Sequence, residues 1–282
     1  MKRLKTTLRF AVLSVLAAVI CFPILFAVSG AFMQQWELEE NLGPVLAQTE
    51  GMASWNLIPR APSLASLVEL LMDTPQFFVM FWNSLKLACC IVGGQLLMGM
   101  PAAWSLARFR FPGSRAVSMI YLVLMLMPFQ VLMFPEYLVL NQMGILDTHG
   151  AVILPAVFST FPVFIMQRFF AGIPEEILEA ARIDGAGELR LFLHIGIPLG
   201  ASGTVSAGIL GFLEAWNMIE QPMTFLKTKS LWPLSLFLPQ ITVKDAAFGF
   251  TAALMMLVPA VLVFLSGQEY LEQGIAAAAL KG

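Results

Sequence analysis

The sequence predicts an all-α membrane protein with six transmembrane helices, and three observations carry that reading. Of its 282 residues, 59% are hydrophobic and only 12% charged, with a mean hydropathy of +0.81. Soluble domains carry about 25% charged residues, so apolar surface on this scale calls for the bilayer as solvent. Six apolar segments, 10–32, 77–105, 116–140, 150–170, 198–219 and 247–267, are each long enough for a ~30 Å hydrocarbon core at 1.5 Å per residue. Finally, the basic residues fall unevenly between them.

In chain order, residues 1–32 form an N-terminal segment and first span, 33–76 an extracytoplasmic loop, and 77–282 a five-span core. Lys2, Arg3, Lys5 and Arg9 before an apolar run resemble a cleavable leader. The run is long enough to cross the membrane, and bulky Ile20 before Cys21 disfavours a lipoprotein site, so an uncleaved first span is expected. The loop that follows has only Arg60 against Glu37, Glu39, Glu40, Glu50, Glu69 and Asp73. Arg108, Arg110 and Arg115 follow span two, Arg168, Arg182 and Arg190 accompany the loop after span four, and Lys281 lies in the tail. Lys227, Lys229 and Lys244 in the last outer loop are the poor fit. Eleven of the sixteen Lys and Arg residues thus lie on one side and four on the other, with Lys86 inside a span. The positive-inside rule then puts both termini in the cytoplasm. Trp36, Trp82 and Trp232 near outer boundaries and Trp104 near an inner one fit interfacial belts. Pro101, Pro128, Pro135, Pro155, Pro162 and Pro259 within the spans are expected as kinks whose freed carbonyls neighbouring helices satisfy.

Several function classes are excluded. A net charge of -2 with no clustered basic face speaks against nucleic-acid binding. Cys21, Cys89 and Cys90 lack metal-ligand spacing and read as small buried or lipid-facing groups. His149 and His194, an outer-loop residue and a surface residue of an inner loop, make no metal centre with any carboxylate cluster. No nucleophile elbow or acid–base pair occurs, so the chain is not expected to be an enzyme.

The segment between spans four and five, about 171–197, is the most informative. Pro174 suits the start of a helix, and Glu175 and Glu176 complement the positive end of its dipole. Ile177, Ala180, Ala181 and Asp184 follow at helical spacing, and Gly185 is placed to end the helix in a left-handed conformation. A second short helix, about 188–195, leads to Pro198, where span five begins. Two settings stay open for this pair: an amphipathic element lying on lipid, or one seated in a protein groove, which its acidic start and small central residues suit better.

Glu179-Ala180-Ala181, Asp184-Gly185-Ala186, Phe192, Ile195 and Pro198-Leu199 resemble the "EAA" coupling loop of binding-protein-dependent ABC importer permeases. Further motifs are similar to the carbohydrate-uptake branch, in its six-span second permease: Asn83-Ser84-Leu85, the stretch from Ser105 through Pro112-Gly113, Gln167-Arg168-Phe169-Phe170, Trp216-Asn217 and the ending Ala279-Leu280-Lys281-Gly282. The resemblance implies the MetI-like fold of type I importer permeases. It implies two ATP-binding-cassette ATPase subunits, a second homologous permease, an extracytoplasmic solute-binding protein, and the prokaryotic cytoplasmic (inner) membrane. ATP is then used by the partners, since this chain has no G-x-x-x-x-G-K-[ST] phosphate loop and needs no cofactor of its own. Glu179 is expected to anchor the loop through a charged contact, to the ATPase or within the loop, Ala180, Ala181 and Ala186 to allow close approach, and Gly185 to permit the turn. Asp184 either caps the following helix or makes a contact.

Ionisable groups within spans are functional candidates. Asn83, Lys86, Glu136, Glu214, Trp216 and Asn217 are therefore the candidate substrate pathway, for a sugar or sugar derivative. Lys86 snorkelling to the interface, or pairing with Glu214, are the structural alternatives. The rival functions are a same-superfamily permease for a non-sugar solute (polyamine, phosphate or oligopeptide), an ion-driven secondary transporter, which would need repeated halves around a midplane ion site, and an intramembrane enzyme, which would need a catalytic constellation.

Overall fold

The computed structural model of the chain describes residues 2–46, 50, 52–54, 56–237 and 245–279, with the side chains of 2–5, 8, 46 and 273–279 left aside. Lys244, the tail Leu280-Lys281-Gly282, and the side chains of Lys2, Arg3 and Lys5 therefore lie outside what is described. Helices and turns make up the described residues, with no strand among them. Among the described residues, four helical stretches are long and apolar enough to cross a membrane: Arg9–Ala31, Pro75–Arg108, His149–Ala171 and Ala246–Glu272. Two further bent pairs raise the number to six if each is one crossing.

The chain divides into two compact units. Met1–Phe78 with Phe237–Pro259 make the first. It holds α1 (Lys2–Ala31), α2 (Gln35–Leu46), α3 (Ala65–Val68, prolonged by a wider π turn Glu69–Asp73) and the starts of α4 (Pro75–Arg108) and the last helix. Phe26 meets Phe250 edge-on at 5.6 Å, over Gly30, where any Cβ would lie 2.8 Å from the Phe250 ring. The fully buried Glu37 accepts the Arg60 N–H at 2.8 Å, and the Arg60 guanidinium pairs with Glu40 at 2.9 Å. The acidic 33–76 segment is thus tied down by its single arginine.

Val79–Leu236 with Ala260–Gly282 make the second unit. After α4 come α5 (Ser114–Leu126), α6 (Phe129–Gln142), α7 (His149–Val157), α8 (Thr160–Ala171), α9 (Glu175–Ile183), α10 (Glu188–Leu191), α11 (Ile197–Leu199), α12 (Ala201–Trp216), α13 (Glu220–Phe225) and α14 (Ala246–Ala279). Two expectations about the spans are corrected here. Segment 116–140 is not one helix: α5 and α6 meet at 102°. Pro128 has no N–H to donate and excludes its predecessor from helical backbone; Met127 is extended (φ -74, ψ 125), as is Pro128 (φ -69, ψ 145). Span five begins at Ala201 rather than Pro198, because helical backbone continues from Glu188 through Leu199 and turns by 71° at Gly200. A Cβ at Gly200 would lie 2.4 Å from the Phe170 ring, so only glycine lets the turn press against that side chain. At the break between α7 and α8 the Ala156 carbonyl accepts both the Ser159 N–H at 3.2 Å and Gln95 Nε2–H at 2.9 Å.

Candidate coupling loop and cavity

The predicted loop forms as two short helices with a glycine turn. Pro174 stands just before α9 in extended backbone (φ -59, ψ 136), one position earlier than a first-turn proline, and Glu175 and Glu176 fill the first turn. At the other end Gly185 has φ +85. Its N–H donates to Arg182 O at 3.0 Å, and the Ala186 N–H reaches back to Ala181 O at 2.9 Å. These two bonds define a Schellman end, with the half-buried Ala181 and Ala186 closing it.

Apolar packing fixes the loop to the bundle. Leu178 and Leu191 are fully buried, joined by Ile173 and Phe192, against Ala103, Trp104, Met166 and Phe170. Trp104 contacts Phe170 edge-on at 5.6 Å and Phe192 at 5.8 Å. Trp104 is thus a core residue, only 4% exposed, rather than an interfacial one. Gly196 makes this possible, since a Cβ there would lie 2.6 Å from the indole.

Arg108, read from the sequence only as an inside positive charge, holds the loop by its polar groups. One guanidinium nitrogen donates to the carbonyls of Phe170 and Ile173, both at 2.5 Å. The other donates to Glu175 Oε2 at 3.1 Å, while the planar group lies 5.7 Å from the Trp104 ring centroid. Glu175 also takes Arg182 at 2.8 Å, and Arg182 takes Glu188 at 3.0 Å across the glycine turn. Its hydrogen bond from Arg182, aided by the charges of Arg108 and Arg182, holds the Glu175 carboxyl below its ordinary range. The Glu175 and Glu188 carboxylates raise Arg182 correspondingly.

This arrangement leaves the motif's other polar groups outward. The Glu179 side chain makes no hydrogen bond or ion pair among the described residues, and neither does the Asp184 carboxylate. The position before α10 is Gly187, without a side-chain cap, so Asp184 does not cap the second helix. Glu176, Glu179, Ala180 and Asp184 are exposed together with Ile183, at 86%, and Leu189, at 70%. Leu178 is the buried apolar residue of α9, while Ile177 is exposed. A surface mixing carboxylates, small residues and isolated branched ones suits a protein partner. An anionic headgroup layer would repel it.

The six substrate-pathway candidates separate. Glu136 (α6) and Glu214 (α12) both line a cavity of about 640 Å³, with Gln95 (α4), Phe129, Phe158 and Phe161. The other four are elsewhere. Asn83 donates to the Ser230 and Trp232 carbonyls at 2.8 and 3.1 Å, and neighbouring Ser84 accepts the Leu234 N–H at 2.7 Å. Trp216 is buried between Phe81 and Phe212 at 5.8 and 5.6 Å. Asn217 Nδ2 bonds Leu213 O at 2.8 Å at the end of its own helix. Lys86 is exposed and forms no ion pair with Glu214. Asn83 joins the segment after α13 to α4, and Asp147 joins it to the 142–148 turn. The Asp147 carboxylate accepts both the Lys227 and Thr228 N–H at 2.8 Å and the Thr228 hydroxyl at 2.6 Å. The Thr228 bonds, hydroxyl first, hold it below its usual range. Gln95 escaped the sequence reading because an amide within a span signals nothing until its neighbours are known.

Comparison with known proteins places these features. Residues 95–277, which include both the loop and most of the cavity wall, match the family described as binding-protein-dependent transport system inner membrane component. Among curated relatives, the arabinooligosaccharides transport system permease protein AraQ of Halalkalibacterium halodurans is 26% identical over 98% of this chain and 95% of its own. The lactose transport system permease protein LacG of Rhizobium radiobacter is 27% identical over 97% and 96%. The sn-glycerol-3-phosphate transport system permease protein UgpE of Yersinia enterocolitica is 28% identical over 72% and 74%. A crystal structure of a bacterial ABC transporter involved in the import of the acidic polysaccharide alginate shares the fold, with a TM-score of 0.78, 19% identity, and 95% and 96% of the two chains covered. A second, in complex with an alginate pentasaccharide-bound periplasmic protein, gives 0.52 and 16% over 83% and 93%. With a family match spanning the glycine-ended loop, its Arg108 clamp and the helices behind it, the chain belongs to the inner membrane components of binding-protein-dependent transport systems.

Proposed function

We propose that this chain is one membrane-spanning subunit of an ATP-driven importer that carries a sugar or sugar derivative across the cytoplasmic membrane. A solute-binding protein delivers the substrate, a second homologous permease completes the pathway, and two ATPase subunits drive it from the side of the 171–197 loop. Both termini are on that side.

The observation that carries the reading is the loop itself. Its inner face, Leu178 and Leu191, is locked into the bundle core, and its outer face presents Glu179, Ala180, Asp184, Ile183 and Leu189 on a helix braced by Arg108. Such an element transmits a push, because packed interiors respond as rigid bodies. The small outer residues admit the partner's surface closely, and Gly185 sets the angle between the two helices. Support for the solute class comes from the relatives, named for arabinooligosaccharides, lactose and sn-glycerol-3-phosphate, and from the fold shared with an alginate importer. The periplasmic protein in the second alginate structure supports the delivery partner.

The test is co-purification. The chain, expressed with an ATP-binding-cassette ATPase subunit of the same organism, is expected to retain that subunit through affinity purification. A double change on the outer face, Glu179→Lys with Ile183→Asp, is expected to release it while membrane insertion persists. Retention by the double variant would remove the loop from the interface.

A further inference from the structure

We propose that the cavity between α4, α6 and α12 selects sugar units without negative charge. Hydroxyl- or ammonium-bearing saccharides would be accepted, and carboxylate- or phosphate-bearing ones disfavoured. The inference rests on the import reading above and names the solute class at its pathway.

Three hydrogen-bond acceptors converge on this cavity from separate helices. Gln95 is only 5% exposed, and its Nε2 is committed to Ala156 O at 2.9 Å. That bond fixes the amide's orientation, because flipping it would set two oxygens against each other. Oε1 is therefore buried at the cavity wall without a partner. It faces the bare Cα of Gly211, also on the wall, where a Cβ would lie 2.6 Å from the oxygen. A buried polar atom is normally paired, and an unpaired one at a cavity points to a ligand donor. Glu136 and Glu214 add carboxylates that make no hydrogen bond or ion pair among the described residues. Among the described residues, no Lys, Arg or His lines it.

Saccharide chemistry matches this wall. Each sugar hydroxyl donates one hydrogen bond, an amino sugar's ammonium donates three, and the apolar C–H faces of the ring lie against aromatic side chains such as Phe129, Phe158 and Phe161. A uronate or phosphate brings acceptors and a charge of the same sign, in surroundings where like charges repel far more strongly than in water. The chain would differ in this from the relatives named for glycerol phosphate and alginate.

The complete transporter, with partner permease, ATPase subunits and binding protein, is reconstituted in vesicles. Uptake and ATP hydrolysis are then measured with radiolabelled cellotriose, maltotriose, chitosan trisaccharide, mannuronate trisaccharide and glycerol 3-phosphate. Wild type is expected to carry a neutral or amino sugar. Glu136→Lys and Glu214→Lys should lower the ratio of neutral to acidic uptake by about tenfold. The milder Glu136→Gln and Glu214→Gln, which keep size and acceptor, should move the ratio the same way by less. Gln95→Leu should cut neutral uptake by about tenfold. The selectivity inference is overturned, and the import reading kept, if wild type carries the acidic probes as well as the neutral ones, or if none of these inserted variants shifts the ratio. A wild type that hydrolyses ATP with its binding protein but carries no sugar overturns both.

Discussion

Arg108 shows how much one side chain can hold. Its side chain is 8% exposed, and the guanidinium closes one carbonyl in the last turn of α8, one in the link to α9, one carboxylate at the start of α9, and an aromatic face. A planar fork does this and a point charge does not. Arg108→Ala should therefore cost about 1–3 kcal/mol for the groups left unpaired, and Arg108→Lys should restore little of it. Thermal unfolding in detergent reads this directly, and a lysine variant as stable as wild type would contradict the fork. Glu175 gives a pH dependence with a definite sign. Its pKa is depressed by Arg182 in the folded chain, so its contribution is complete above the ordinary carboxylate value and is lost as pH falls through the lowered one. Proteolysis of the loop should rise on acidification through that window, and Glu175→Gln should flatten the response. An unchanged acid profile in that variant would assign the loop's hold to packing alone.

At the scale of elements, glycine and proline decide the geometry. Gly185 at φ +85 sets the angle between α9 and α10. A β-branched residue there is strained by about 1–2 kcal/mol, so the helix end must rearrange while Leu178 and Leu191 still hold it inside. Gly185→Val is expected to insert normally, hydrolyse ATP, and lose substrate uptake in reconstituted vesicles. Normal uptake would show that the turn angle does not matter to coupling. Pro128 illustrates the limit of reading such punctuation. It was visible within segment 116–140, where a kink was the expectation, yet the chain turns by 102° there. Each resulting helix, 13 and 14 residues long, reaches only about 20 Å. Whether a proline kinks or breaks a helix depends on what packs on either side, which no local pattern encodes. The same is true of the π turn Phe192–Gly196, where Gly196 yields to the Trp104 ring.

At the scale of the whole molecule, the charge distribution predicts both termini in the cytoplasm. Protease protection of N- and C-terminal tags in right-side-out vesicles should show both shielded, and a tag between residues 47 and 55 cleaved. The opposite pattern for either terminus would break the topology on which the loop's placement depends.

The sequence alone determined the solvent of the molecule, its helical class, and the start and stop of the two helices in the 171–197 loop. Each of these is set by composition or by neighbours within a few residues: apolar length for a span, Pro174 to enter a helix, Gly185 to leave it. Tertiary structure decided what depends on residues distant in the chain. It turned Trp104 from a supposed interface marker into the core, made Arg108 a clamp on carbonyls more than sixty residues away, and tied Asn83 to the 230–232 segment. It also left Glu179 outward, and brought Gln95, Glu136 and Glu214 from three helices to one cavity. A polar residue within a span announces only that it needs a partner, and which partner it finds is fixed when the helices pack.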